Sequence, residues 1–314
     1  MMEYPYFLSA NKYYKSLFGR KAYRLALNAG MTCPNRDGKV STGGCIFCSK
    51  GGSGDFAQSP LSGIREQIDM AVRNVPERYK DAAFIAYFQA FTNTYAPVRY
   101  LEKIFSEALN DPRISGIAIA TRPDCLPDDV TELLRNLSLI KPLWIELGLQ
   151  TINDKTARLI NRGYPLSTFD EAYEKLSSHK IPVTVHVIIG LPGENTDDYT
   201  ACAAYLAKKH VHGVKLQLLH VLEGTKLAEL FRQNAFSVLT LSEYTDAVIR
   251  MLEILPPDTV IYRITGDGPK DLLIAPGWST DKKNVLNTIT KELRLRGTYQ
   301  GKEYDNGFGI NHSL

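Results

Sequence analysis

The sequence predicts an α/β fold, a parallel sheet closing partly or nearly fully into a (β/α)6-type barrel. Three observations lead there. Strand-length runs are continuously apolar rather than alternating, as expected of parallel strands buried on both faces. Between them lie amphipathic stretches long enough for right-handed crossover helices. Unusual polar and glycine-rich clusters recur where the runs end, and that is the end at which barrels gather their chemistry.

The elements follow in order. Strands are expected at Tyr23–Gly30, Ala82–Phe88, Ile114–Thr121, Leu143–Gln150, Val183–Gly190, Val214–Val221 and Val260–Thr265. In the helix expected over Leu61–Val75, Ile64, Ile68, Ala71, Val72 and Val75 fall on one face, as do Leu101, Ile104, Phe105, Ala108 and Leu109 in Pro97–Leu109. Asp128 and Asp129 suit a helix N-terminus, and Leu133, Leu134 and Leu137 follow. Phe169, Ala172, Tyr173 and Leu176 mark another helix; Tyr199, Cys202, Ala203 and Leu206 mark the next. The C-terminal part carries a helix within Ser237–Leu255, a Gly/Pro-rich loop from Gly266 to Gly277 and a basic helix near Thr280–Arg296. The domain reading is a basic, aromatic N-terminal arm (1–22), a barrel core (23–235) and a C-terminal extension completing the barrel (236–314).

At 314 residues the chain can bury a large core. Its 44% apolar and 23% charged residues are ordinary for a soluble protein, and a net charge of +3 permits a nucleic-acid partner without demanding one. Five cysteines with no secretory pattern at Met1-Met-Glu-Tyr-Pro-Tyr point to a reducing cytoplasm rather than a disulfide scaffold. No apolar run suggests a membrane span. Across residues 4–24, Lys12, Lys15, Arg20, Lys21 and Arg24 interleave with Tyr13, Tyr14 and Tyr23. Such a pattern can bind nucleic acid; more commonly it is a solvated segment packed through its tyrosines.

The chemistry-bearing stretch is Cys33–Cys48, followed by Gly51-Gly-Ser-Gly54. Three of the five cysteines fall within it, with eleven residues between Cys33 and Cys45 and two between Cys45 and Cys48. Structural zinc usually takes four ligands in paired units. Cys202 sits on the apolar face of a predicted helix and reads as a buried thiol, and Cys125 reads first as structural. Three thiolates suit an iron–sulfur cluster equally, because a 4Fe–4S cluster with three protein ligands leaves one iron for a small chelating molecule. S-adenosylmethionine offers the amine and carboxylate such an iron needs. A zinc-stabilised binding protein remains the alternative.

Cys33-x11-Cys45-Ile-Phe-Cys48 resembles the radical S-adenosylmethionine (SAM) motif in a long-spaced form, where the usual form has three residues between the first two cysteines. With Asn28-Ala-Gly-Met-Thr-Cys-Pro-Asn and Gly43-Gly-Cys-Ile-Phe-Cys, it resembles the YhcC/YtqA-like (MnmL-type) family and, more distantly, the radical domain of the Elongator catalytic subunit. The resemblance implies a barrel of the radical SAM class, with Cys33, Cys45 and Cys48 as cluster ligands and SAM as cofactor. It implies that Phe47 lies against the adenine, and that the backbone at Gln89, Ala90, Phe91 and Thr92 receives the methionine amine, since Gly-Gly-Glu is absent there. Glu146 and Gln150 match the fourth-strand motif, Arg162 a polar residue near the cofactor, and His186, Ile188 and Gly190 the fifth-strand motif that supports the adenine. Singly, Glu146, Gln150 or His186 would read as a hydrogen-bonded structural residue. Ala120 stands where related families place Glu, so that cofactor contact is absent.

For substrate, the resemblance implies tRNA wobble-uridine modification, such as conversion of a 5-carboxymethylaminomethyl group to 5-aminomethyl. It also implies an external electron donor such as flavodoxin or ferredoxin, and a tRNA methyltransferase acting downstream. Arg122, Asp124, Lys215, Gln217 and His220 lie at strand ends or within strands and are candidates for the substrate pocket. A small metabolite or a tetrapyrrole-like molecule is the alternative substrate.

Overall fold

The computed structural model describes residues 6–52, 60–266 and 268–304. Residues 1–5 of the expected arm, Ser53 and Gly54 of the glycine-rich stretch, and residues 305–314 of the expected extension lie outside the described residues.

In chain order the elements are α1 (Ala10–Phe18), β1 (Ala22–Leu27), α2 (Ile64–Arg73), β2 (Ala83–Phe88), α3 (Val98–Asn110), β3 (Ile114–Thr121), α4 (Asp128–Ser138), β4 (Leu143–Gln150), α5 (Asp154–Leu159), α6 (Leu166–Ser178) and β5 (Val183–Ile189). Then follow α7 (Thr196–Lys208), β6 (Gly213–Leu218), β7 (Val221–Leu222), α8 (Lys226–Arg232), α9 (Leu241–Ile254), β8 (Val260–Arg263), β9 (Leu273–Ala275) and α10 (Lys282–Leu295). The chain forms two compact units, one of Asn11–Leu149 with Arg162–Thr184, the other of Met1–Ala10, Gln150–Asn161 and Val185–Leu314.

In the first unit β1, β2, β3 and β4 are hydrogen-bonded neighbours in that order, all parallel. Every residue of β2 is buried, which explains its unbroken apolar run. Helix α3 buries Leu101, Ile104, Phe105, Ala108 and Leu109, the single stripe that its 3.6-residue period requires. Lys141 stitches the edge before β4, its Nζ donating to the carbonyls of Leu109, Asp111 and Ile114 at 2.6, 3.1 and 2.7 Å.

The arm contains a helix that the sequence reading did not place. Tyr13, Tyr14 and Phe18 of α1 gather edge-on around Trp144, at ring-centroid distances of 6.4, 5.5 and 6.4 Å. Trp144 Nε1 also donates to the Tyr13 hydroxyl at 3.2 Å. Tyr13, Tyr14 and Phe18 are therefore packing residues, while Lys12 and Lys15 stay exposed.

In the second unit β5, β6 and β8 are neighbours, and β6 pairs with β8 in parallel. Helices α7 and α9 each begin with a capping box, Asn195 with Asp198 and Thr240 with Glu243, so their first turns are set by local sequence. The single strand expected over Val214–Val221 is not continuous. It leaves the sheet after Leu218, turns at Leu219 and His220, and resumes as β7, which pairs antiparallel with β9. The break falls where the loop at Gly266 and Gly268 packs against the His220 ring.

Candidate cluster and cofactor site

The cysteine loop is anchored where it leaves β1. Gln67 of α2, fully buried, accepts from Asn28 N at 2.8 Å and donates to the carbonyls of Asn28 and Ser62, each at 2.8 Å. Tyr100 of α3 donates to the Ala29 carbonyl at 2.9 Å. Neither residue carries a motif, so neither could be picked out before the fold was known.

The eleven residues after Cys33 make a small closed structure. Arg36 N and Asp37 N both donate to the Cys33 carbonyl, Asp37 bridges Thr42 across an antiparallel pair, and Gly44 N returns to the Asn35 carbonyl at 2.8 Å. Cys48 N then donates to the Cys45 carbonyl at 3.0 Å, closing a tight turn that holds the last two cysteines together. Gly163 explains the glycine of Asn161-Arg162-Gly163. Its φ is +84°, and a Cβ there would lie 2.5 Å from Asn35 Oδ1 and 2.9 Å from Val40 Cγ1. The 162–164 segment packs directly on the base of the cysteine loop.

Two arginines bring positive charge to the thiols. Arg36 donates to the carbonyls of Ser49 and Lys50 and sits 5.4 Å from the Phe91 ring centroid. Arg122 donates twice to Asp124, at 2.9 and 2.7 Å, and once to the Arg162 carbonyl at 3.0 Å. Its guanidinium also lies over the Tyr164 ring, 4.8 Å from the centroid.

All three cysteines are free and half-buried. A hydrogen bond from Cys45, with the charges of Arg36 and Arg122, brings Cys48 down to about 7 against its burial, and the same shared proton raises Cys45. This donor set suits a thiolate-ligated cluster, since a thiolate is the ligating form and a cluster in its bound state is anionic. Asn35 Nδ2 lies 3.6 Å from Cys45 Sγ, placing an amide donor beside a sulfur as cluster surroundings commonly do. No group of three His, Cys, Asp or Glu among the described residues is arranged to hold a single metal ion. A cuboidal cluster spreads its ligand sulfurs farther apart than one ion does. Cys125 and Cys202 are buried, and burial first of all raises both thiols far above the ordinary range.

The other expected residues have defined surroundings. Gln89–Thr92 follows β2, with Ala90 and Thr92 buried and Phe91 at a φ of +59°. Thr92 N reaches back to the Thr32 carbonyl, next to the first cysteine, at 3.2 Å. Glu146 is buried, ion-paired to Arg24 and accepting from the Tyr87 hydroxyl at 2.6 Å. Arg162, also buried, donates to the carbonyls of Leu149 and Tyr164 at 2.8 and 3.0 Å. Gln150 ends β4 in the left-handed region, at a φ of +66°.

In the other unit, Gln217 Nε2 lies 3.3 Å from His186 Nδ1, and Ile188 is buried. Gly190 N donates to the Tyr199 hydroxyl at 3.0 Å from a φ of +96°. Lys215 is buried within β6, and His220 stands at the break after it. Sequence reasoning missed Asn35, Arg36 and Gly163. Cys-Pro-Asn-Arg and Asn-Arg-Gly were visible, but only the folded loop shows what they hold.

Comparison with known proteins identifies the family. Residues 33–206 match the Radical SAM superfamily, and residues 211–294 match the Radical_SAM C-terminal domain. The chain is 46% identical to YtqA of Bacillus subtilis, over 93% of this chain and 91% of that protein. It is 34% identical to YhcC of Escherichia coli, over 89% of this chain and 90% of that one. Similarity extends to Elongator complex protein 3 of Schizosaccharomyces pombe at 26% identity, over 89% of this chain but only 58% of that protein. Among solved structures, an N-terminally truncated Elp3 from Methanocaldococcus infernus superposes with a TM-score of 0.66 at 16% identity, covering 92% of this chain and 68% of that one. That likeness shows the expected α/β fold of the radical SAM class. Radical SAM proteins use a 4Fe–4S cluster and SAM, which decides between the two chemistries the cysteines left open. The chain therefore belongs to the radical SAM superfamily, in the group of YtqA and YhcC.

Proposed function

We propose that this radical SAM enzyme modifies the wobble uridine of tRNA, remodelling a 5-substituent such as carboxymethylaminomethyl to aminomethyl. The observation that supports it most is the Cys33–Cys45 loop, whose eleven intervening residues fold as a closed unit. That long-spaced form is the one resembling the tRNA-linked branch. Exposed Lys12 and Lys15 on α1, and Lys282, Lys283, Lys291 and Arg294 on α10, supply charge of the sign that RNA phosphates require.

When bound, the cluster and SAM supply a 5′-deoxyadenosyl radical able to take hydrogen from an unactivated carbon. The chain's own residues bind and orient. Cys33, Cys45 and Cys48 would hold three irons, and Arg36 and Arg122 would offset the negative charge gathered there. Phe47 would lie against the adenine, with the Gln89–Thr92 backbone near the methionine amine. His186, Ile188 and Gly190 would support the adenine side, with Glu146, Gln150 and Arg162 as the remaining polar candidates near the cofactor. Glu146 and Arg162 already brace the strands, so their part is positioning. Arg122, Asp124, Lys215, Gln217 and His220 remain candidates for the substrate pocket. The reading includes an external donor such as flavodoxin or ferredoxin, a downstream tRNA methyltransferase and a cytoplasmic location. Among the described residues, no helix is long and apolar enough to cross a membrane.

Mass-spectrometric profiling of tRNA nucleosides from a deletion strain and its complemented parent tests this. Accumulation of the carboxymethylaminomethyl nucleoside at the expense of the aminomethyl form is expected. An unchanged profile would remove tRNA as the substrate and leave the radical chemistry standing.

A further inference from the structure

The turn after Cys33 sends two side chains back toward the other two cysteines. Arg36 N donates to the Cys33 carbonyl at 2.8 Å, and the Asn35 carbonyl receives Gly44 N at 2.8 Å. These are backbone bonds, so they hold residues 35 and 36 beside Cys45 whatever side chains stand there. Asn35 is fully buried, and its Nδ2 donates to Cys45 Sγ at 3.6 Å. The amide has little room to move, because a Cβ at Gly163 would stand 2.5 Å from Asn35 Oδ1. Turning the amide over would set its oxygen against a thiolate, where only a donor is favourable.

Arg36 serves the third cysteine. Its Nη2 and Nη1 donate to the carbonyls of Ser49 and Lys50, the two residues that follow Cys48. Its stem passes over Gly44, where φ is +83° and a Cβ would lie 2.9 Å from Nε and 3.1 Å from Cγ. The Phe91 ring covers the guanidinium, with its centroid 5.4 Å away. So held, the guanidinium reaches the Cys48 sulfur. The Cys45 hydrogen bond first, then the charge and hydrogen bond of Arg36, bring Cys48 down to about 7 against its burial.

We infer that Asn35 and Arg36 are positioning residues: they hold N–H donors on the sulfurs of Cys45 and Cys48 and so raise the reduction potential of the 4Fe–4S cluster bound there. Reduction moves one electron from the external donor to the cluster and transfers no proton. It adds one negative charge, part of which falls on the ligand sulfurs. A hydrogen bond to such a sulfur, and a cation beside it, are stronger in the reduced form than in the oxidised form, so both favour reduction. The eleven-residue spacer thus tunes the centre as well as separating two ligands. The inference rests on Cys33, Cys45 and Cys48 being the cluster ligands and is independent of the tRNA reading.

Redox titration of the anaerobically reconstituted full chain, without SAM or substrate and followed by electron paramagnetic resonance, tests this. At a fixed potential near the wild-type midpoint, the ratio of reduced to oxidised cluster should fall about fivefold in Asn35→Leu, the range that one hydrogen bond commands. It should fall about tenfold in Arg36→Met, where a charge leaves with the donor; tenfold is a downward midpoint shift of about 59 mV for one electron. Arg36→Lys keeps the charge without the fork and should recover part of that shift. Should a variant fail to take up the cluster, the wild type decides. With heavy nitrogen on the asparagine amide or the arginine guanidinium, pulsed spectra of the reduced cluster should show a nitrogen coupling from each label. Coupling from one label alone keeps that residue's role and removes the other's. Equal potentials in wild type, Asn35→Leu and Arg36→Met, or no coupling from either label, overturn the inference. Cys45→Ala keeps the two readings apart. An intact cluster in that variant removes the ligand assignment itself, whereas a lost cluster beside unshifted potentials in the other variants removes only the donors.

Discussion

Arg122 grips Asp124 through two parallel hydrogen bonds, Nε to Oδ1 at 2.9 Å and Nη2 to Oδ2 at 2.7 Å, across a separation of only two residues. The remaining arm of the guanidinium holds the Arg162 carbonyl at 3.0 Å. Gly163 follows, pressed against Asn35 at the base of the cysteine loop. The end of β3 is thereby connected to the loop through one guanidinium, whose charge also favours thiolate at Cys45 and Cys48. Asp124 keeps that cation fixed in direction beside an anionic centre.

Asp124→Asn should therefore be costly. The two side chains are 10% and 18% exposed, and removing one partner of a pair this buried leaves a guanidinium without its counter-charge. A loss of about 3 kcal/mol is expected. Arg122→Met with Asp124→Leu should cost less than Asp124→Asn alone, since both charges then leave together. Urea unfolding under anaerobic conditions measures each. A single variant within ~0.5 kcal/mol of wild type, the range of an ordinary surface substitution, would sink the idea.

The Glu146 carboxylate presents a second case with a different partner set. It is buried, with Arg24 on one oxygen and the Tyr87 hydroxyl at 2.6 Å on the other. Arg24 in turn donates to Tyr14 at 2.9 Å, tying β1 and β4 to helix α1. Glu146→Gln should lower stability by about 3 kcal/mol and Tyr87→Phe by about 2 kcal/mol. If Glu146 acted only on a bound cofactor, Glu146→Gln would leave the melting of the cofactor-free protein unchanged, and thermal unfolding of that form decides.

The strands were legible because β2, β3 and β4 bury both faces and write that as continuous apolar runs. The start of α4 was legible because Asp128 and Asp129 stand in its first turn, whereas the capping boxes at Asn195 and Thr240 emerged only with the fold. The α1 helix was hidden because its tyrosines resemble a basic, aromatic RNA-binding pattern, and only contact with Trp144, more than a hundred residues away, gives them their packing role. The break at His220 was hidden for a similar reason. Residues 214–221 are apolar enough for one strand, and the glycines that pack against the His220 ring come from the loop after β8. The three cysteines were legible from spacing alone. Arg36 and Gln67 were not, because what they bind is backbone, which leaves no pattern in the partner sequence.

Cluster assembly separates the cysteines. Cys45→Ala should abolish the cluster absorbance after anaerobic reconstitution and reduce SAM cleavage to background, since a 4Fe–4S centre on the proposed ligands would need all three thiolates. Cys202→Ala should keep both, because that thiol is buried on the apolar face of α7. Its cost should be confined to stability, about 1 kcal/mol for a small buried group. A Cys45→Ala protein with full iron content and normal SAM cleavage would refute the ligand assignment.

Glu194 gives the second unit a pH dependence of definite sign. Burial raises its carboxyl from 4.5 to about 7, the nearby Asp198 charge adds to this, and hydrogen bonds from Thr151 and Thr156 oppose it. The folded protein thus holds the proton where the unfolded chain has released it. Folding binds more protons than unfolding in that interval, so this group's contribution is fully present below about pH 4.5 and is lost as pH rises through 7. Glu194→Gln keeps an amide oxygen to accept from Thr151 but cannot ionise. The stability difference between Glu194→Gln and wild type should therefore move in favour of the variant as pH rises from 4.5 to 7, then level off. Other titrating groups act on both proteins alike and cancel in that difference. Urea midpoints of the two proteins measured at half-unit intervals test this; parallel curves across the window would show that Glu194 ionises normally in the fold.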